Sequence, residues 1–276
     1  MGFALILGCG LIAFGPSLML WLLVVARRPV LVIIGLVSAF FWLASMALAS
    51  ILWTIVPAAQ NAWVLVIFTG VGLQGFGRHL LARAYIKTEK LINEAEAPDP
   101  AASGVEGRRS GVGQASRRAR NGGGGSAPLD PHERVSSSLL LNGVSSSIAA
   151  GVGWGAIHAV IMVGTALSKH FEAGAAFSDS CPRVPSLFLL ALSAQAFVWL
   201  DLLLMAAAFA SARSGDTLLF CWSFASHFLA ASTTGFNILE GGCVASLSLL
   251  YTVVLLAAIV LGLYGPLRTA MSRLKR

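Results

Sequence analysis

Charge is what this chain has least of. Its 276 residues include only 19 Lys or Arg and 12 Asp or Glu against 57% hydrophobic residues, with a mean hydropathy of +0.80. That is too little polar surface to cover a globule in water, so a soluble fold is excluded. The period-two alternation of a membrane barrel strand is also missing, and the backbone must therefore satisfy its hydrogen bonds within helices. Four cysteines, Cys9, Cys181, Cys221 and Cys243, have no metal-ligand spacing. Cys181 and Cys243 fall on one side of the membrane by the topology below, but nothing else argues for pairing and we expect no disulfide. There is no phosphate-binding loop, no metal motif and no retinal-type lysine in the last apolar run, so neither cofactor nor metal is implied. The first apolar run lacks a preceding basic region and is too long for a signal-peptide core, and we expect it to stay as an anchor. Position six holds no Ser or Thr, which argues against myristoylation.

What remains is apolar sequence in long runs. Stretches able to cross about 30 Å of hydrocarbon at about 1.5 Å per residue lie roughly at 2–26, 30–56, 62–86, 138–168, 185–212, 217–239 and 243–267. The expected fold is an all-α polytopic membrane protein with seven transmembrane helices. Residues 1–93 supply helices one to three, and 138–276 supply helices four to seven with a short cytoplasmic tail. Between them, 94–137 is rich in Gly, Ser and Arg, has no apolar face to bury and reads as a disordered basic cytoplasmic loop. A solvated linker that enforces topology is preferred there over a lipid-bound segment. Seventeen of the 19 basic residues fall on one side of this arrangement, with only Lys169 and Arg183 opposite. The positive-inside rule then puts the amino terminus outside, in the lumen, and the carboxyl terminus in the cytoplasm. The net charge of +7 follows from this asymmetry and gives no argument for nucleic-acid binding.

Small and polar residues inside the spans carry the remaining information. Ser45, Ala47, Ala49 and Ser50 in AFFWLASMALASILW make a small-residue face suited to helix packing. In the fourth span Gly143, Ser147, Gly151 and Gly155 recur every four residues, a stripe that lets another helix approach, widened by Gly153. Such a stripe serves packing between subunits or within one bundle equally well. Asp201 and His227 lie about 15 Å inside the same cytoplasmic edge. At mid-membrane an ionisable group needs a partner, and Asp201 with His227, assisted by Gln195, Ser223 and Ser226, is the expected polar cavity. His158, farther toward the outer face, is expected to make an interhelical hydrogen bond or to lie at the interface. Arg78 and His79 are read as a polar, closely packed segment opening toward the cytoplasm, and Trp53, Trp63 and Tyr264 as interfacial anchors. Asp201 is the one acidic residue at mid-membrane, whereas an aspartyl peptidase needs two. Ser226 and His227 project about 100° apart on a helix, a poor dyad, and no catalytic role is expected.

The wording itself adds a resemblance. AFFWLASMALASILW at 39–53 and GCGLIAFGP at 8–16, with Ala84 to Lys87, Gly143 to Gly151 and Ser226 to Leu229, closely resemble the anterior-pharynx-defective (Aph-1) family of gamma-secretase subunits. The resemblance implies a non-catalytic scaffold that binds presenilin, nicastrin and the presenilin-enhancer subunit, supports intramembrane proteolysis of type I membrane proteins such as Notch-like receptors, and resides in the endoplasmic reticulum, Golgi and other endomembranes or at the plasma membrane. It also implies an assembly role for the glycine stripe, in which Ser147 replaces the family's middle glycine. Of two cavity histidines in the family, His227 matches the second and Asp201 stands in place of the first. The alternative is a seven-helix transporter or ion pathway using Asp201 and His227, which would favour an internal repeat that the sequence lacks.

Overall fold

The computed structural model describes residues 3–56, 62–96, 131–173, 177–178 and 180–274. Among these, helix α1 (Phe3–Leu20) runs on through a π-helical turn (Trp21–Val25) and is followed by α2 (Pro29–Ile55), α3 (Trp63–Glu96) and α4 (Pro131–Ala173). A hairpin, β1 (Phe177–Ser178) with β2 (Cys181–Pro185), leads into α5 (Ser186–Ser214), α6 (Thr217–Thr233) with a 3-10 turn (Thr234–Ile238), and α7 (Gly242–Leu274). Helices thus enter both ends of the expected 94–137 loop, and residues 97–130 lie outside the described residues.

Among the described residues, six segments are long and apolar enough to cross a membrane: Phe3–Val25, Pro29–Ile55, Trp63–Ile92, Gly143–Thr165, Ser186–Ser214 and Gly242–Gly265. The expected crossing at 217–239 is shorter than the others, a 17-residue helix completed by the 3-10 turn. At 1.5 Å per residue α6 alone rises only about 26 Å.

Local chemistry sets the boundaries. Pro29 occupies the first turn of α2, where its missing N–H is no loss. Gly215, at φ 69°, closes α5 in the left-handed conformation that other residues resist. Asp216 then caps α6, its Oδ1 accepting from the amides of Leu218 (3.0 Å) and Leu219 (3.3 Å). Tyr264, expected as an interfacial anchor, donates to the other oxygen of Asp216 at 2.8 Å and ties α7 to this corner.

Helix α5 is the centre of the bundle, packing against α1, α3, α4, α6 and α7. Its buried residues include Ala191, Ala194, Ala196, Ala207 and Ala208, small side chains that let neighbours approach from several directions. Peripheral α1 buries a single stripe, Cys9, Ala13 and Ser17. Helix α2 buries Leu31, Gly35, Ser38, Trp42, Ser45 and Ala49, spaced by three and four. The small-residue face read from the sequence is thereby divided. Ser45 and Ala49 lie on this stripe, but Ala47, two residues from either, and Ser50 are exposed.

On the end opposite Arg27 and Arg28, Cys181 of β2 forms a disulfide with Cys243 at the start of α7. This corrects the expectation of free thiols. The partners are 62 residues apart, and only the return of the chain through α5 and α6 brings them together. Gly241, whose amide donates to Ser180 at 2.7 Å, holds the same junction.

Candidate functional site

Four helices each send one polar side chain to a common point. Arg78 comes from α3, His158 from α4, Asp201 from α5 and His227 from α6. Arg78, Asp201 and His227 are 1%, 0% and 2% exposed, so their charges and hydrogen bonds must be met inside the protein. One Asp201 oxygen accepts from Arg78 Nη2 in an ion pair, and the other accepts from His158 Nδ1 at 2.7 Å. Arg78 Nη1 lies 3.0 Å from His227 Nδ1. A guanidinium can only donate, so His227 accepts at Nδ1 and carries its proton on Nε2, while His158 donates from Nδ1 to a carboxylate that can only accept.

Aromatic rings enclose the cluster. Arg78 Cζ sits 5.0 Å from the centre of the Trp154 ring, where the π face attracts a cation. The His158 ring lies between Trp42 at 5.2 Å and Phe197 at 5.1 Å. One cation and one anion cancel at the centre, and both Asp201 oxygens are held by fixed donors. This is the arrangement of a strut between helices: neither oxygen is left unpaired for proton transfer or nucleophilic attack.

The sequence placed some of these residues and not others. Asp201 and His227 do meet in one cluster, but through Arg78, with no hydrogen bond between them among the described residues. His158 makes an interhelical hydrogen bond, and its partner is Asp201 itself. Gln195 stands apart: its Oε1 accepts from Tyr251 of α7 at 2.9 Å. Six residues at 100° each put it about 240° round the helix from Asp201. Arg78, read as opening toward the cytoplasm, is instead buried at the centre. The signal that identifies it is depth from the outer end, since Arg78 is fifteen residues after Trp63 and Asp201 fifteen after Ser186. Counting from the cytoplasmic edge conceals this match because α3 continues to Glu96.

The α4 stripe is turned toward the chain's own α5. A Cβ added at Gly151 would stand 2.8 Å from the Cα of Leu202, and one at Gly155 would stand 3.2 Å from the Cα of Val198. Ser147 is buried and returns its hydroxyl to the Val144 carbonyl at 2.8 Å. Gly143 faces the Arg213 guanidinium, and Gly153 faces the backbone of Gly35 on α2. The latter contact is reinforced by Ser38, which donates to the Ala150 carbonyl at 2.6 Å. The stripe therefore sets the distance between α4 and α5, and through them the positions of His158 and Asp201.

Comparison with known proteins bears on the same chain length. The sequence model described as Aph-1 protein matches residues 4–264. A protein of Arabidopsis thaliana named gamma-secretase subunit APH1-like is 27% identical over 262 residues, covering 93% of this chain and 90% of its own length. Shorter stretches match gamma-secretase subunit APH-1B of Mus musculus, 38% identical over 99 residues (33% of this chain, 37% of that protein). Gamma-secretase subunit Aph-1 of Drosophila melanogaster is 34% identical over 86 residues (31% of this chain, 36% of that protein).

Proposed function

Because the chain belongs to the Aph-1 family, we propose that it is a gamma-secretase subunit acting as a non-catalytic membrane scaffold for presenilin, nicastrin and the presenilin-enhancer subunit. The observation that carries the subunit role is the family match across 4–264, together with relatives named as subunits of that complex. The scaffold reading is supported by the way Asp201 is used. Its oxygens are committed to Arg78 and His158, and among the described residues the cluster holds no second carboxylate of the kind an aspartyl dyad would need. The peptidase aspartates then belong to a partner, and this chain contributes a rigid surface in the endomembranes where the complex assembles.

The cluster and the stripe act together in this reading. Gly151 and Gly155 bring α4 onto α5, and the ionic cluster fixes α3 and α6 to the same pair. The outward faces of these helices are thereby held in one geometry for partner helices to meet. Transport was suggested by Asp201 and His227 as a polar pair in need of explanation; Arg78 supplies a partner to both, and the pair no longer calls for a pathway.

The test is reconstitution in cells lacking the native subunit. Gly151→Leu and His227→Ala should each lower the recovery of presenilin and nicastrin with this chain and reduce cleavage of a membrane-stub substrate. Normal partner recovery with both would refute the scaffold mechanism, and cleavage by the purified chain alone would refute the non-catalytic assignment.

A further inference from the structure

At the end of the bundle where α5 turns into α6, a cavity of about 340 Å³ opens between that corner and α3. Phe76, His79 and Arg83 line it from α3, and Asp216, Thr217 and Phe220 from the corner and α6. The α3 residues are layered by depth. Arg83 is twenty residues after Trp63, about 30 Å along the helix, so it stands where the hydrocarbon ends. Phe76 lies seven residues further in, about 10 Å, and is 61% exposed to the surroundings of the bundle. Phe220, whose ring is 4.8 Å from His79, continues this aromatic wall on α6. The cavity thus has a cation at the border of the membrane and an apolar wall leading inward from it.

Arg83 is exposed and makes no hydrogen bond or ion pair among the described residues. Asp216 is engaged, since its Oδ1 accepts from the Leu218 and Leu219 amides and its Oδ2 from the Tyr264 hydroxyl. We infer that this cavity binds one phospholipid, its phosphate at Arg83 and an acyl chain along Phe76 and Phe220. A phosphate matches the paired N–H donors of a guanidinium, and the aromatic wall calls for an apolar chain attached to it. The net charge of the head is not selected, because the negative Asp216 in the same lining offsets the attraction of Arg83 for an anionic head. The chain's own 97–130 segment is excluded as the occupant by its composition, which offers no apolar run to lay along Phe76. Neither Arg83 nor the aromatic wall belongs to the buried ionic cluster, so the inference stands independently of the scaffold reading.

The purified full-length chain in mild detergent would be titrated with phosphatidylcholine, phosphatidylserine or diacylglycerol of the same acyl chains and examined by native mass spectrometry. One phosphatidylcholine should be retained per chain, at least about tenfold more tightly than diacylglycerol, which lacks the phosphate. Phosphatidylserine should bind within about threefold of phosphatidylcholine. Arg83→Gln should weaken phosphatidylcholine binding by about tenfold and leave diacylglycerol binding unchanged. Arg83→Lys, which keeps a donor cation, should stay closer to the wild type, and an unaltered melting temperature is expected for both variants of this exposed residue. Soluble glycerophosphocholine, at a concentration matched to the lipid, should not displace the bound lipid, since the acyl chain supplies part of the affinity. Equal phosphatidylcholine binding by the wild type and Arg83→Gln would overturn the inference. Retention of diacylglycerol as tight as that of phosphatidylcholine would also overturn it, leaving the groove as a seat for an apolar partner helix. Displacement by glycerophosphocholine would reduce the cavity to an anion site, and a tenfold preference for phosphatidylserine would refute the charge balance between Arg83 and Asp216 on which the choice of ligand rests.

Discussion

A guanidinium buried among four helices is tolerable only when its charge is met, and Arg78 meets it with Asp201 on one side and donates to His227 on the other, leaving its Nε without a hydrogen-bond partner among the described residues. Removing one member of the ion pair leaves the other charge buried and uncompensated. Arg78→Leu and Asp201→Leu should therefore each destabilise the detergent-solubilised chain by about 3–5 kcal/mol. The double replacement should cost less than the sum of the two by at least about 1 kcal/mol. His227 contributes a neutral acceptor, so His227→Leu should cost only about 1–3 kcal/mol, and its coupling should be to Arg78 more than to Asp201. Thermal unfolding across this set checks the order, and strict additivity of Arg78→Leu with Asp201→Leu would refute the strut. Asp201 and His227 were legible in the sequence because ionisable residues stand out in an apolar run. Arg78 was not, because a basic residue in a helix that extends past the membrane is easily assigned to its wet end.

At the scale of elements, periodicity announces that a face is made for packing but not what packs on it. The four-residue spacing from Gly143 to Gly155 was visible, whereas its partner, α5 of the same chain, follows only from tertiary contacts. In α2 the spacing of three and four separates Ser45 and Ala49 from Ala47 and Ser50, so residue size alone overstated the packing face. A leucine at Gly151 must displace the backbone of Leu202. Gly151→Leu should destabilise by about 1–3 kcal/mol or more. Gly164, on the same helix with nothing within 4 Å of an added Cβ, provides the matched control. Gly164→Leu should stay within about 0.5 kcal/mol of the parent. The disulfide escaped the sequence reading for a related reason: sequence spacing does not reveal that α5 and α6 form an out-and-back pair. Closing 62 residues, it should contribute about 2–4 kcal/mol. Cys181→Ser, Cys243→Ser and the double variant should lose the same amount, since either change removes the whole bond; melting temperatures and non-reducing mobility measure it.

For the whole molecule, the disulfide and the charge distribution bear on one question, how often the chain crosses the bilayer. Cys181 and Cys243 are bonded with Cα atoms 6.1 Å apart, so both lie on the same side. Helix α5, apolar over Ser186–Ser214, crosses between them, and a return crossing is needed before α7 begins. Only α6 is available for it. Its 17 residues and the five-residue 3-10 turn together rise about 36 Å, enough to span hydrocarbon although the α-helix alone falls short. We propose seven crossings on this parity, which takes from hydropathy only that α5 crosses. The chemistry of the bond supports the orientation, because disulfides persist on the lumenal or outer side and are rare in the cytosol. On the expected topology, with the buried Arg78 set aside, 16 of the remaining 18 basic residues would lie opposite the disulfide, as the positive-inside rule asks. The two lines converge on a measurable pattern of glycosylation. An acceptor inserted after Gly174 should be modified, and acceptors at Gly123 and fused beyond Arg276 should not. Modification at Gly123 would reverse the orientation, and modification beyond Arg276 alongside that at Gly174 would mean that α6 does not cross.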